Sequence, residues 1–437
     1  MRKIFTTFSA LSLTLIMILP IIACNNQFND PNIYRITVVT DGHTINDASF
    51  NESSYNAALE FKQEFDTWTH SNYVDPQYKN KRVEVSWDNP QLTTLDNLMT
   101  SYSKAVFINS KVIIASGFLH HDALVKAQNT ILNHKVKFIF VDGDTPNREV
   151  PKTNKQLAGL LYKVEQSGFL AGIAGAIWLT AHANEYGGLN NLKMSSYGGL
   201  DIPAVTNYMY GYYWAIQFFN NKTSANPIQD QLLQWVKILN PNFTSPLPNI
   251  EFIRLGKQFS GNFTQGAESS KGINDALVQQ GSDIIFPVAG PQTEDTLSSL
   301  KKVGQGKIIG VDTDQQLQYP QSADRFITSA KKNLVSSIKF MLWKSVGRTD
   351  KSPEHESDPT ANQTFTDDAP YRGGPNFTGI AANKAIKDGT KDIYTPLVAL
   401  ENTTDLLDKI SNGWQKVLSL NKDYWINSIK DEYNPFK

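Results

Sequence analysis

The chain has 437 residues, 40% apolar and 19% charged, with 41 Lys and Arg against 42 Asp and Glu. This excludes an intrinsically disordered chain, which has fewer apolar residues and more net charge, and a nucleic-acid binder driven by clustered basic charge. Only the extreme N-terminus is apolar enough to span a membrane, which excludes a multi-span protein; at about 100–200 residues per domain the length suggests two or three domains.

In chain order, Met1-Arg2-Lys3 is a basic start and residues 4–22 are apolar or hydroxylic. Ile21-Ile22-Ala23-Cys24 follows, and Cys24 is the only cysteine. The pattern resembles a bacterial lipobox, with residues 1–23 a signal peptide and Cys24 the lipidated first residue of the mature chain. The alternative is an uncleaved signal anchor with an incidental cysteine. Residues 24–33, rich in Asn and Gln, read as a tether.

Beyond the tether, short β-branched runs alternate with longer amphipathic ones. Strands are predicted at 34–40, 82–87, 111–116, 137–141, 192–197, 250–255, 283–288, 307–311 and 326–329. Helices are predicted near 53–66, 92–106, 121–133, 166–182, 204–219, 265–280, 293–303 and 330–346. The alternation implies an α/β fold with parallel sheets covered by helices on both faces. The near-continuous apolar strands fit sheets buried on both sides. Residues 347–374 are polar and poor in large aliphatics, and read as a surface insertion.

Glycines and carboxylates recur where the strands end: Asp41-Gly42, Gly117, Asp142-Gly143-Asp144, Gly198-Gly199, Gly290 and Asp312. Open α/β sheets bind ligands beyond the carboxyl ends of their strands. Gly lets a ligand approach the backbone, and Asp accepts from hydroxyl groups. Phe50, just ahead of a helix, is poorly placed for the core that Tyr55, Leu59 and Phe61 would build.

Asp41…Asn46-Asp47-Ala48-Ser49-Phe50-Asn51 resembles the signature of the basic membrane protein family, purine-nucleoside-binding lipoproteins of ABC importers. In the same order, Glu165 to Gly172, Gly198 to Tyr212, Gly281 to Gly290, Gly310 to Gln315 and Thr328 to Lys332 are similar to further motifs of that family. There are departures. His43 stands where the family usually has Gly, Pro291 and Thr293 where Gly is common, and Asn262 near a usual Asp. Tyrosines stand at 208 and 212 in place of phenylalanines.

The resemblance implies two Rossmann-like lobes in a type I periplasmic-binding-protein fold, closing on a ligand. The first lobe would hold 34–145 and 327–375, the second 146–326 and 376–437. Phe50 would stack on the base, with Tyr208 or Tyr212 opposite, Tyr212 being preferred. Asp41, Asp142 and Asp312 would accept from the ribose. Lys332 would donate to it and offset the carboxylates. Asn46, Gly117 and Gly290 complete the expected ligand set. The implied partners are a nucleoside, importer permease subunits and a membrane held through the lipid, with the protein a monomer on the extracytoplasmic face. No cofactor, metal, nucleic acid or catalysis is expected; His120 and His121 are adjacent and would point apart. A sugar or other polar solute is the alternative ligand, and a surface-interaction role the alternative function.

Overall fold

The computed structural model describes residues 28–47, 49–68, 76–127, 130–131, 136–143, 156–223, 227–347, 371–372, 378–420 and 423–437. The signal peptide, Cys24, Asp144 and nearly all of the 347–374 insertion lie outside these residues. The chain divides into two compact units. One takes the residues up to Ile45, 51–160 and 338–371; the other takes 46–50, 161–337 and 372–437.

In the first unit, β1 (Ile33–Val39), β2 (Arg82–Asp88), β3 (Val112–Ser116), β4 (Lys137–Val141) and β5 (Leu157–Leu161) pair in parallel in the order β2-β1-β3-β4-β5. A two-residue strand, Tyr371–Arg372, lies beside β5. Helices α1 (Phe50–Trp68), α2 (Leu95–Phe107) and α3 (His121–Ala127) connect the strands. Thr94 caps α2 by accepting the Asn97 amide, as a hydroxyl at that position should. Leu98, Tyr102, Ile113, Leu124 and Phe138 pack one core between sheet and helices.

The second unit repeats the winding. Here α4 (Val164–Ala181), β6 (Lys193–Gly198), α5 (Pro203–Asn220), β7 (Glu251–Ile253), α6 (Glu268–Gln279), β8 (Ile284–Val288), α7 (Thr293–Val303), β9 (Lys307–Asp312) and β10 (Phe326–Lys332) succeed one another. The sheet order is β7-β6-β8-β9-β10, with a last strand, Thr378–Ile380, antiparallel to β10. Each sheet therefore reverses its winding once, at β1/β3 and at β6/β8, the topological switch point where doubly wound sheets hold ligands.

Helix α4 is buried along its whole length. An all-round apolar helix of this kind belongs inside a protein, and among the described residues no helix is long and apolar enough to cross a membrane. Its coverage comes from α5, from β10 and the strand Thr378–Ile380, and from the C-terminal segment, where Ser411 donates to Glu165 at 2.7 Å and Gln166 donates to the Leu407 carbonyl at 3.2 Å. Trp214 donates to the Ser428 carbonyl at 2.8 Å, which fixes the end of the chain to α5.

Two features of β10 differ from the sequence reading. Strand β10 continues to Lys332, and the next helix starts only at Leu334, not at 330. Its pairing with β9 keeps residues 327–337 in the second unit, whereas the sequence reading put the boundary at 326/327.

Asp283 sits just ahead of β8, 8% exposed, and accepts the Lys193 amide at 2.8 Å. Burial pushes its carboxyl up from 3.8 to about 6, against the opposing pull of Lys193. A raised folded value favours the protonated form, so this contribution to stability is full below 3.8 and is lost as pH rises through about 6. Asp283→Asn should therefore match the parent near pH 4 and exceed it at pH 7 by on the order of 2 kcal/mol. Urea unfolding at the two pH values measures the difference; an equal difference at both would refute the titration.

Candidate ligand-binding site

In the second unit, four predicted residues meet. Asp312 ends β9 with φ +63°, the left-handed region that short polar side chains tolerate best. Its side chain is 10% exposed and Lys332's is 2% exposed, and the Lys332 Nζ lies 3.2 Å from Asp312 Oδ1. The Tyr208 hydroxyl donates to the same oxygen at 3.1 Å. The ammonium also lies 4.8 Å from the ring centre of Phe50 and 5.2 Å from that of Tyr208. A buried cation held by a carboxylate and two ring faces is stabilised by charge and quadrupole together.

Local structure explains each placement. β9 and β10 are neighbours, so their carboxyl ends present Asp312 and Lys332 side by side. Tyr208 lies on α5, packed edge-on against Phe286 of β8 at 6.0 Å. Phe50 opens α1 after a tight turn in which the Ser49 amide donates to Asp47. Gly290 follows β8 with φ +50°, and a Cβ there would stand 3.8 Å from the Ser49 hydroxyl. Asn46 is exposed on the turn before Phe50.

Tyr212 is not brought to this cluster. It is fully buried one turn further along α5, its ring 5.0 Å from Phe286 and 6.4 Å from Phe252. Its hydroxyl has no hydrogen-bond partner among the described residues.

In the first unit, Asp41 follows β1. Its amide donates to Asn51 Oδ1 at 3.2 Å, and Asn51 Nδ2 returns a bond to its carboxylate at 2.7 Å. His43 Nδ1 lies 3.2 Å from the same carboxylate. Burial works to raise the Asp41 pKa, but the hydrogen bonds from His43 and Asn51, with the charge of the neighbouring imidazoles, outweigh it and hold it below its ordinary value. Gly117, at φ +98°, ends β3 against Asp41; a Cβ would stand 3.4 Å from its Oδ2. Asp142 ends β4 with φ +62° and is 6% exposed. The two units thus share a device: a strand-end aspartate in the left-handed region, a strained conformation that clusters at functional sites.

His120 is buried, its Nδ1 2.6 Å from the Tyr102 hydroxyl. Burial pulls it down to about 4 despite the opposing pull of the Asp41 carboxylate and the Thr40 carbonyl, so it is neutral at pH 7. His121 is exposed beside Asp122. Among the described residues no group of three or more His, Cys, Asp or Glu is placed to hold a metal. Asn51 and His43 are the partners that sequence reasoning passed over. Both stand in the quoted motif, but only the fold shows that they serve Asp41.

Comparison with known proteins agrees with this architecture. Residues 33–226 match the Bmp family model, described as ABC transporter substrate-binding protein PnrA-like. The chain is 25% identical over 365 residues to an uncharacterized lipoprotein, the MG040 homolog of Mycoplasma pneumoniae, covering 70% of this chain and 55% of that one. It thus spans little more than half the length of that relative. It is 22% identical over 289 residues to the ABC transporter nucleoside-binding protein BmpA of Lactococcus lactis, covering 64% of each. The fold is similar to that of an ABC transporter solute-binding protein from Aeropyrum pernix K1, with a TM-score of 0.55 at 15% identity, covering 90% of this chain and 99% of that one.

Proposed function

We propose, from the match of residues 33–226 to the model of PnrA-like ABC transporter substrate-binding proteins, that this chain captures a nucleoside and delivers it to an ABC importer. The observation that carries the reading is the buried Lys332–Asp312 pair, 3.2 Å apart, with Phe50 and Tyr208 around it at the carboxyl ends of β9 and β10. A nucleoside needs both kinds of group. Its base stacks on an aromatic ring, and its ribose diol requires a charged acceptor and a donor together. Tyr208 and Lys332 both reach Asp312 Oδ1, so Oδ2 is the oxygen assigned to a ribose hydroxyl. In the first unit, Asp41, held ionised by Asn51 and His43, and Asp142 are the acceptors proposed from the sequence. Tyr208 is the aromatic partner of Phe50 in this reading, and Tyr212 is core. Gly117 beside Asp41, and Gly290 and Asn46 near Phe50, complete the proposed ligand residues of each unit.

The rest of the proposal follows the sequence. Cys24 carries the lipid, the stretch from Cys24 to Phe28 is the tether rather than the whole of 24–33, and the protein works as a monomer on the extracytoplasmic face beside its permease subunits. The name of the Lactococcus lactis relative, a nucleoside-binding protein, supports the choice of ligand.

Calorimetric titration of unfolded and refolded protein tests the reading, since refolding removes any ligand carried from the host. Nucleosides should bind saturably, and free bases or ribose should not. Phe50→Ala should weaken binding about 10- to 100-fold, the worth of one base–aromatic stack. Tyr212→Phe should leave it within about twofold, because it removes only an unpartnered hydroxyl in the core. Binding of ribose or another sugar without the base would replace the nucleoside reading by the sugar one. No binding of any of these would overturn capture.

A further inference from the structure

The amino edge of the first sheet carries residues that the ligand reading leaves unused. Parallel strands bring all their amino ends to one edge. Backbone bonds fix the alignment there: the Arg82 amide donates to Asn32, the Lys111 amide to Arg35 and the Lys137 amide to Lys111. Basic side chains from adjacent strands therefore stand at neighbouring positions, about 4.8 Å apart per strand. Glu84 answers Arg35 and Arg82, at 2.7 and 2.8 Å. Lys81 and Lys111 instead donate to neutral oxygens of Pro31 and Asn109, and pair with no carboxylate among the described residues. Burial lowers the Lys111 pKa, and the charges of Lys81 and Arg35 lower it further, so these cations feel one another.

Helix α2 runs back against the strands, and its last residue, Phe107, emerges at the same edge, 65% exposed. The Phe28 ring lies 6.1 Å from it, beneath the Arg35 guanidinium at 5.7 Å. The Phe28 carbonyl accepts from Asn109 at 3.2 Å and from Arg35 at 3.3 Å. The chain is thus pinned to this edge at Phe28. In the sequence, Phe28 comes four residues after Cys24. Four extended residues reach at most about 14 Å.

We propose that this edge, which carries Phe28 and Phe107 together with the carboxylate-free Lys81 and Lys111, seats directly on a bilayer surface carrying anionic headgroups, beside the acylated Cys24. The inference rests on the lipid-anchor reading. So short a leash keeps the edge near the headgroups, where it can enter the zone of about 8 Å over which surface charge acts. An exposed aromatic amid cations is the composition that an anionic interface takes up. One consequence follows for the same unit: the carboxyl edge of its sheet, with Asp41 and Gly117, points away from the lipid.

The test uses the mature acylated protein on vesicles of phosphatidylcholine with or without phosphatidylglycerol. Phe107→Cys supplies a labelling thiol, since acylation blocks Cys24, the only native cysteine. An environment-sensitive fluorophore there should brighten at least about twofold on the anionic vesicles. High salt, or Lys81→Glu with Lys111→Glu, should abolish the gain. The same label at Leu92→Cys, an exposed residue after β2 on the carboxyl edge, should not respond. A Phe107 label that stays as dim as the Leu92 label on an acylated protein overturns the seating and leaves the anchor intact. Mass spectrometry of the N-terminal peptide separates the two failures: an unmodified Cys24 overturns the anchor reading and the seating with it.

Discussion

Lys332→Met should lower the stability of the ligand-free protein by about 3–5 kcal/mol, because it strands a buried carboxylate. The side chains of the pair are 2% and 10% exposed, and the ammonium is the cation within 3.2 Å of Asp312. Without it the carboxylate keeps the Tyr208 hydroxyl, at 3.1 Å, as its bond from a side chain. One neutral hydrogen bond, worth about 1 kcal/mol net, does not offset the desolvation of an ion. Asp312 also holds a left-handed backbone, φ +63°, which the surrounding bonds must maintain. Adding Asp312→Asn to Lys332→Met removes the stranded charge and should recover most of the loss. Urea unfolding of the two single variants and the double gives the coupling directly. A cost below about 1 kcal/mol for Lys332→Met would mean that water already reaches the pair, and the buried-cluster description would fail.

The winding of both sheets was legible because buried parallel strands are written as apolar β-branched runs. Where that signal lapses, the sequence is silent. β5 reads Leu-Ala-Gly-Leu-Leu and has no β-branched residue. The end of β10 reads Ser-Ala-Lys-Lys, which looks like the opening of a helix until its pairing with β9 and with Thr378–Ile380 is seen. That is why Lys332 could be picked from a motif and still be placed on the wrong kind of element. Asp41, Asp142 and Asp312 were legible as strand ends, but their neighbours were not. Nothing local joins Asp41 to Asn51, or Tyr208 to a carboxylate 104 residues away. Tyr208 and Tyr212 are four apart on one helix and share a face. Only the depth of each along α5, at the strand ends or beneath Phe286, separates a residue that meets Asp312 from a core residue. The C-terminal helices were unreadable for a related reason: Ser411 and Ser428 matter through partners on α4 and α5, more than 200 residues earlier.

Gly211→Ala should cost about 3 kcal/mol and weaken nucleoside binding about tenfold or more, although residue 211 carries no side chain to the cluster. A Cβ at Gly211 would run into the Glu165 carbonyl, and it would stand 2.8 Å from the Phe169 amide. Both belong to the backbone of α4 and neither can swing aside. The contact is reciprocal: a Cβ at Gly168 would run into the Tyr208 carbonyl, and one at Gly172 would stand 2.6 Å from the Ala215 Cβ. Glycines on both helices therefore let α4 and α5 touch backbone to backbone. The added methyl must push α5 away from α4, and α4 is buried on every side, so the yielding element is α5. Tyr208 lies three residues before Gly211 on that helix, and its 3.1 Å bond to Asp312 breaks with a shift of less than 1 Å. Gly272→Ala on α6 is the control, since a Cβ there meets nothing within 4 Å. It should stabilise by about 0.5–1 kcal/mol, the usual gain of replacing a helical glycine, and leave affinity unchanged. Urea midpoints and calorimetric affinities on both variants decide the matter. A folded Gly211→Ala protein with full affinity would show that Tyr208 can leave Asp312 without consequence, and Phe50 with Lys332 would then have to hold the ligand alone.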